Sequence, residues 1–191
     1  MNPRRPSARG TTLEGLVLAA LGALQTLAFV HTRAWWLPLL AVAVLAWRLH
    51  GSTGPRQAAW LGWCFGTGWL TAGTWWLFIS LYRYGHLPAW LAAAAVGTLA
   101  GLLSLYLAAA AAAYRHWRRG NTFDAALFAA VWLLAEVARA LIFTGFPWVA
   151  SGYAQVDGPL AALAPWVGVY GIGAVLAALA ALLARAVTAR G

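Results

Sequence analysis

Glu136 and Arg139 stand three residues apart in an otherwise apolar run, a spacing that places both side chains on one face of a helix and lets them pair. Insertion scales put each such charge, central in a bilayer and unpaired, at about 2.5–3.5 kcal/mol, so the pair must face other helices or a wet cavity. There it serves either to lock helix register or to form a polar wall for a lipid headgroup or other amphiphile. The residues that follow, Phe143-Thr144-Gly145-Phe146-Pro147-Trp148, end the helix, because glycine and proline do not continue one, and leave aromatics at the edge of an apolar segment. Gly152-Tyr153-Ala154-Gln155 and Asp157-Gly158-Pro159 extend this into a polar, turn-rich connection over 144–159, longer than two helices require. Such a loop is either an interfacial binding rim or an aromatic anchor.

Two residues offer nucleophilic chemistry, and their surroundings argue against it. Ser151, in Val149-Ala150-Ser151-Gly152, is within conceivable reach of His86 from another loop, but the flanking glycines of a G-x-S-x-G elbow are missing, with Val149 and Tyr153 in their places. A hydrogen bond to loop backbone is its expected role. Cys64 lies in an apolar run with no neighbouring base, where desolvation disfavours the thiolate. As the single cysteine it also excludes an intrachain disulfide and a multi-cysteine metal site. His31, His50, His86 and His116 are scattered over separate segments, so no paired-histidine zinc motif forms. There is no lysine, which excludes a P-loop. No metal, no cofactor and no catalytic residue is expected from this set.

These side chains must be positioned by membrane-spanning helices. Of 191 residues, 63% are hydrophobic and 9% charged, far from the roughly 25% charged of a soluble domain. A span takes about 20 apolar residues as a helix. Runs that meet this lie near 13–30, 34–49, 58–81, 89–114, 123–143 and 160–183, so the expected fold is an all-α, polytopic bundle of about six transmembrane helices in one domain over 1–191. The second run is short and carries Trp35, Trp36 and Trp47 as interfacial anchors. The first lacks a clear signal-peptidase site and reads as an uncleaved helix. All 13 basic residues are arginine. Arg4, Arg5, Arg9, Arg48, Arg56, Arg115, Arg118, Arg119, Arg185 and Arg190 fall on one side of this topology and Arg33 and Arg83 on the other, which places both termini in the cytoplasm. The net charge of +9 is thereby explained by flanks of spans rather than by a nucleic-acid surface. The alanine runs and the Gly62/Gly66 and Gly97/Gly101 pairs predict close helix packing.

The string Glu136-Val137-Ala138-Arg139, then Phe143-Thr144-Gly145-Phe146-Pro147-Trp148, Gly152-Tyr153-Ala154-Gln155 and Asp157-Gly158-Pro159-Leu160, resembles the apolipoprotein N-acyltransferases of bacterial inner membranes. Gly62-Trp63-Cys64-Phe65-Gly66 with Trp76, Ser80 and Tyr84-Gly85-His86-Leu87-Pro88 is similar to that family's third span and outer turn, and Leu163-Ala164-Pro165 with Gly168-Val169 to its sixth span. The resemblance covers nearly the whole chain.

It implies an enzyme that moves an acyl chain from a phospholipid donor to the α-amino group of the diacylglyceryl-cysteine of a prolipoprotein acceptor, using a Glu, Lys and Cys triad in a nitrilase-like domain. The family continues beyond its sixth span with a seventh, that domain and a last span, whereas this sequence stops at Gly191 and has no lysine. The expectation is therefore a membrane portion that is inactive alone and is completed, where it is completed, by a separate nitrilase-like catalytic chain. On this reading Glu136, Arg139, Phe146, Trp148, Tyr153 and Gln155 line the substrate-binding surface. The alternative is a non-catalytic membrane module that binds lipid or a partner protein; a small transporter would carry polar residues on several spans rather than on the fifth.

Overall fold

The structure, a computed structural model, describes residues 8–189, with side-chain environments from residue 11 onward. Arg4, Arg5 and Arg190 lie outside the described residues, as does the side chain of Arg9. Among the described residues every regular element is helical: α1 (Ala8–Leu24), α2 (Leu27–Val30), α3 (Trp36–Gly51), α4 (Pro55–Gly73), α5 (Trp75–Ile79), α6 (Ala89–Trp117), α7 (Phe123–Leu141) and α8 (Ala164–Thr188), with short 3-10 turns and one π turn between them.

The breaks follow local chemistry. α1 and α2 are one apolar segment interrupted where Thr26 Oγ1 donates to Ala23 O at 2.6 Å. Pro55 opens α4 at a position where its missing N–H has no partner to lose. Thr74 ends α4 by donating its hydroxyl to Leu70 O at 2.7 Å, and the chain passes through α5 into the π turn Ser80–Tyr84. Gly168, with φ 63° and ψ −175°, breaks α8 after its first turn.

Five helical segments among the described residues are long and apolar enough to cross a membrane: Thr11–Val30, Thr32–Gly51, Ala89–Trp117, Phe123–Thr144 and Pro159–Thr188. The run over 58–81, expected as a further span, becomes α4 and α5 and is not among them. Its glycines, threonines and tryptophans suit contact with protein: α4 lies between α1 and α6, burying Ala58, Leu61, Gly62, Cys64, Phe65, Gly66, Trp69 and Leu70.

Around the bundle the order is α1, α4, α6, α7, α8, α3, with α3 closing back on α4 and α1. Glycine sets the closest approaches. A Cβ on Gly22 or Gly68 would strike the facing carbonyl of Phe65 or Ala19, and one on Gly62 would lie 2.7 Å from Ala111 Cβ. The Gly62/Gly66 pair thus forms the α4–α6 contact. The second pair does less, since Gly97 faces open space and Gly101 offers its carbonyl to Trp63 Nε1 at 2.8 Å. The core between the helices is filled by Leu18, Leu45, Leu49, Leu61, Phe65, Phe128, Trp132 and Leu176.

One end of the bundle gathers Arg48, Arg115, Arg118 and Arg185. Arg48 pairs with Glu14 of α1 at 2.5 Å, and Arg115 Nε donates to Ser52 O at 2.8 Å. The other end carries the connection between α7 and α8, tied down by Thr32 to Asp157 and by Gln155 Nε2 to Trp35 O at 2.8 Å.

Candidate functional site

The last two turns of α7 carry Glu136 and Arg139 inward, where they are 3% and 4% exposed. Their mutual contact is loose, with Arg139 Nη2 3.8 Å from Glu136 Oε1. The short contacts go to the loop instead. Arg139 Nη1 donates to Phe146 O at 2.9 Å and to Trp148 O at 2.7 Å, while Phe146 N–H returns a bond to Arg139 O at 2.7 Å. Glu136 Oε1 accepts Ser151 N–H at 2.7 Å, and Oε2 accepts Ser151 Oγ–H at 2.9 Å. Trp132 Nε1, one helical turn before Glu136, donates to Ser151 Oγ at 3.2 Å. A buried carboxylate and a buried guanidinium thus hold the loop from both sides.

The loop needs holding. Phe143, Thr144 and Val149 occupy left-handed backbone at φ 53°, 73° and 53°. Bulky and β-branched side chains are strained there, each by about 1–3 kcal/mol. Gly145, at φ 80°, is the one residue in the turn suited to that region, and a Cβ on it would collide with Ala140 O. Four hydrogen bonds to charged groups, each about 1.5–3 kcal/mol, are of the size required to keep this backbone in place.

The clamp rests on stacked aromatics. Trp132 lies over Trp69 at 5.8 Å between centroids and 14° between planes, and the Arg139 guanidinium sits 5.8 Å from the Trp69 ring. Between α4, α6 and α7 a cavity of about 20 Å³ is bounded by Trp69, Ser104, Glu136 and Arg139. That volume suits about one water. Trp69 Nε1 and Arg139 Nη2 are buried with no acceptor among the described residues. On the other side of the loop, a cavity of about 280 Å³ opens beside Tyr153, Gln155, Val156, Val169 and Ile172. Gly173 of α8 makes room for the clamp: a Cβ there would meet Ser151 Oγ and lie 2.6 Å from Glu136 Oε2.

The matched segment identifies this geometry's family. Residues 21–182 match the family described as the apolipoprotein N-acyltransferase N-terminal domain. The chain belongs to that family. Curated apolipoprotein N-acyltransferases similar to it include one from Ralstonia nicotianae, 46% identical over 176 residues that make up 90% of this chain and 34% of the relative. A second, from Verminephrobacter eiseniae, is 53% identical over 154 residues, 78% of this chain and 28% of the relative. A third, from Pseudomonas putida, is 43% identical over 171 residues, 88% and 34% respectively. The chain therefore spans about a third of the length of these relatives. With its apolar helices it is the N-terminal, multi-pass membrane part of an apolipoprotein N-acyltransferase type of sequence.

Within this N-terminal domain the six residues singled out from sequence separate into two groups. Glu136, Arg139 and Gln155 are buried and bind backbone, of the loop in the first two cases and of Trp35 in the third. Trp148 and Tyr153 are about half exposed, at 55% and 52%, and Phe146 is half-buried. Ser151, expected to bind loop backbone, instead binds the Glu136 carboxylate. Trp132, Trp35 and Gly173 were not visible as site residues from sequence. For Trp132 a signal existed, since it lies four residues before Glu136 on the same helical face. For Trp35 and Gly173 there was none, because each meets the site through another segment of chain. No group of three or more metal-ligating side chains forms among the described residues.

Proposed function

We propose that this chain is the membrane portion of an enzyme that transfers an acyl chain from phospholipid to the N-terminal diacylglyceryl-cysteine of prolipoproteins, and that it is inactive alone. Its place is the bacterial inner membrane, with the arginine-rich end and both termini on the cytoplasmic side. The clamped loop is the observation that carries the substrate reading. Glu136 and Arg139 bind the loop's backbone from within, so Phe146, Trp148 and Tyr153 are presented at the opposite, outer end on a turn that is held in place. Rigid aromatics at an interface anchor amphiphiles, and holding donor and acceptor beside a catalytic region raises their effective concentration. The absence of lysine supports inactivity of the chain by itself, because a Glu, Lys and Cys triad has no lysine to draw on here.

The deciding assay presents purified chain with a phospholipid donor and a diacylated lipopeptide. No triacylated product is expected from the chain alone, and product is expected once a nitrilase-like catalytic region from a relative is supplied. Triacylated product from the chain alone would overturn the proposed inactivity. Activity in the completed enzyme that is indifferent to Trp148→Ala combined with Tyr153→Ala would overturn the aromatic surface as the substrate rim.

A further inference from the structure

At the arginine-rich end, four helices bring charge together from separate parts of the chain. His50 closes α3, Arg115 lies in the last turn of α6 with Arg118 just beyond it, Asp124 lies in the first turn of α7, and Arg185 in the last turn of α8. Arg115, Arg118, Asp124 and Arg185 are all within electrostatic reach of His50, and Asp124, Arg118 and Arg185 are likewise within reach of Tyr114.

The cluster does not neutralise itself. Asp124 is 1% exposed, and its two oxygens already accept the backbone N–H groups of Arg119 at 2.7 Å and Gly120 at 2.8 Å. Among the described residues, none of Arg115, Arg118 and Arg185 forms a salt bridge. Arg118 Nε and Arg185 Nη1 are shielded from solvent and have no acceptor among the described residues. The helix dipole favours a basic residue near a helix C-terminus but gives no acceptor to these two shielded N–H groups. Capping therefore does not account for them. Nor does the bias of arginine toward one membrane side, which is met by side chains that reach outward, as Arg56 and Arg119 do.

We propose that this end of the bundle binds the phosphate of an anionic phospholipid headgroup between α3, α6, α7 and α8, with Arg118 and Arg185 as its donors. A phosphate offers several acceptor oxygens that match guanidinium geometry, and its charge balances three arginines facing one engaged carboxylate. The lipid is the source because the site lies where apolar helices end, at headgroup depth. Trp117, Leu182, Leu183 and Val187 are exposed beside it, as surface for acyl chains. Basic pockets between transmembrane helices bind anionic headgroups on this physical basis.

The test uses the full chain in mixed micelles containing phosphatidylglycerol or phosphatidylcholine, with retained lipid counted by native mass spectrometry. Wild type is expected to retain phosphatidylglycerol selectively, and Arg118→Gln combined with Arg185→Gln to lower that retention about tenfold. Arg56→Gln, which removes an exposed charge at the same end, is expected to leave it unchanged. Equal retention of the two lipids by wild type would overturn the site, a comparison that needs no variant to fold. Displacement of phosphatidylglycerol by an equal concentration of inorganic phosphate would overturn the lipid as its source.

Discussion

Both oxygens of the Glu136 carboxylate are taken by one residue, Ser151, which donates its backbone N–H to one and its hydroxyl to the other at 2.7 Å and 2.9 Å. Fifteen residues separate the two in sequence, and the turn between them contains the strained positions Phe143, Thr144 and Val149. The pair closes that turn as a ring.

Glu136→Gln should open it. A glutamine oxygen accepts one of the two Ser151 bonds, its amide turns a donor toward the other, and Arg139 loses the charge beside it. The expected destabilisation is about 3 kcal/mol. Hydrogen exchange at the Ser151 amide is the local readout, and protection equal to wild type would show that the carboxylate is not what holds the loop.

Arg139→Lys keeps a positive charge but ends it on a shorter stem, so the ammonium falls short of where Nη1 donates to both carbonyls and gives up the planar contact with the Trp69 ring. Phe146 O and Trp148 O should lose at least one donor between them. Chymotrypsin should then cut after Phe143 or Trp148 several-fold faster, by about 1–2 kcal/mol of lost loop stability. Unchanged cleavage would mean that the carbonyls are held by something other than the guanidinium.

Gly173→Ala introduces a methyl where Ser151 and Glu136 meet. Overpacking of this kind costs about 1–3 kcal/mol. The informative measurement is the double-mutant cycle with Ser151→Ala: the alanine should be tolerated better once the hydroxyl is gone, with a coupling of about 1 kcal/mol. Strict additivity would place the clash elsewhere.

Thr144→Asn should be stabilising. Thr144 is exposed at φ 73°, a region β-branched residues resist and asparagine tolerates. Relief of about 1 kcal/mol is expected, seen as a higher melting temperature. A lower one would show that Thr144 makes a contact worth more than its backbone strain.

The reach of sequence differs between elements. α6, α7 and α8 were legible because long apolar runs bounded by arginine, glycine or proline leave little choice but a helix. α4 was legible as a helix, but not in its setting. Gly62 and Gly66 announced close packing against a helix, but Trp63 and Trp69 suit lipid or protein alike, and only the neighbours α1 and α6 distinguish the two. The Glu136 and Arg139 spacing announced an ion pair on one helical face. It was silent on the loop carbonyls and on Ser151, which compete for the same groups and win by shorter distance.

What the sequence determined by itself is an all-helical, membrane-embedded chain with a charged face on α7 and an aromatic loop after it. Periodicity, hydropathy and chain-breaking residues act locally, and the bilayer requires every backbone hydrogen bond to close within its own helix. The tertiary structure decided the partners. Gln155 meets Trp35, 120 residues away, Gly173 makes space for Ser151, and Arg118 and Arg185 converge with His50 at the far end. Those contacts depend on which helix packs beside which, a choice made by small-residue surfaces and side-chain volumes summed over the whole bundle. No local window of sequence contains that sum.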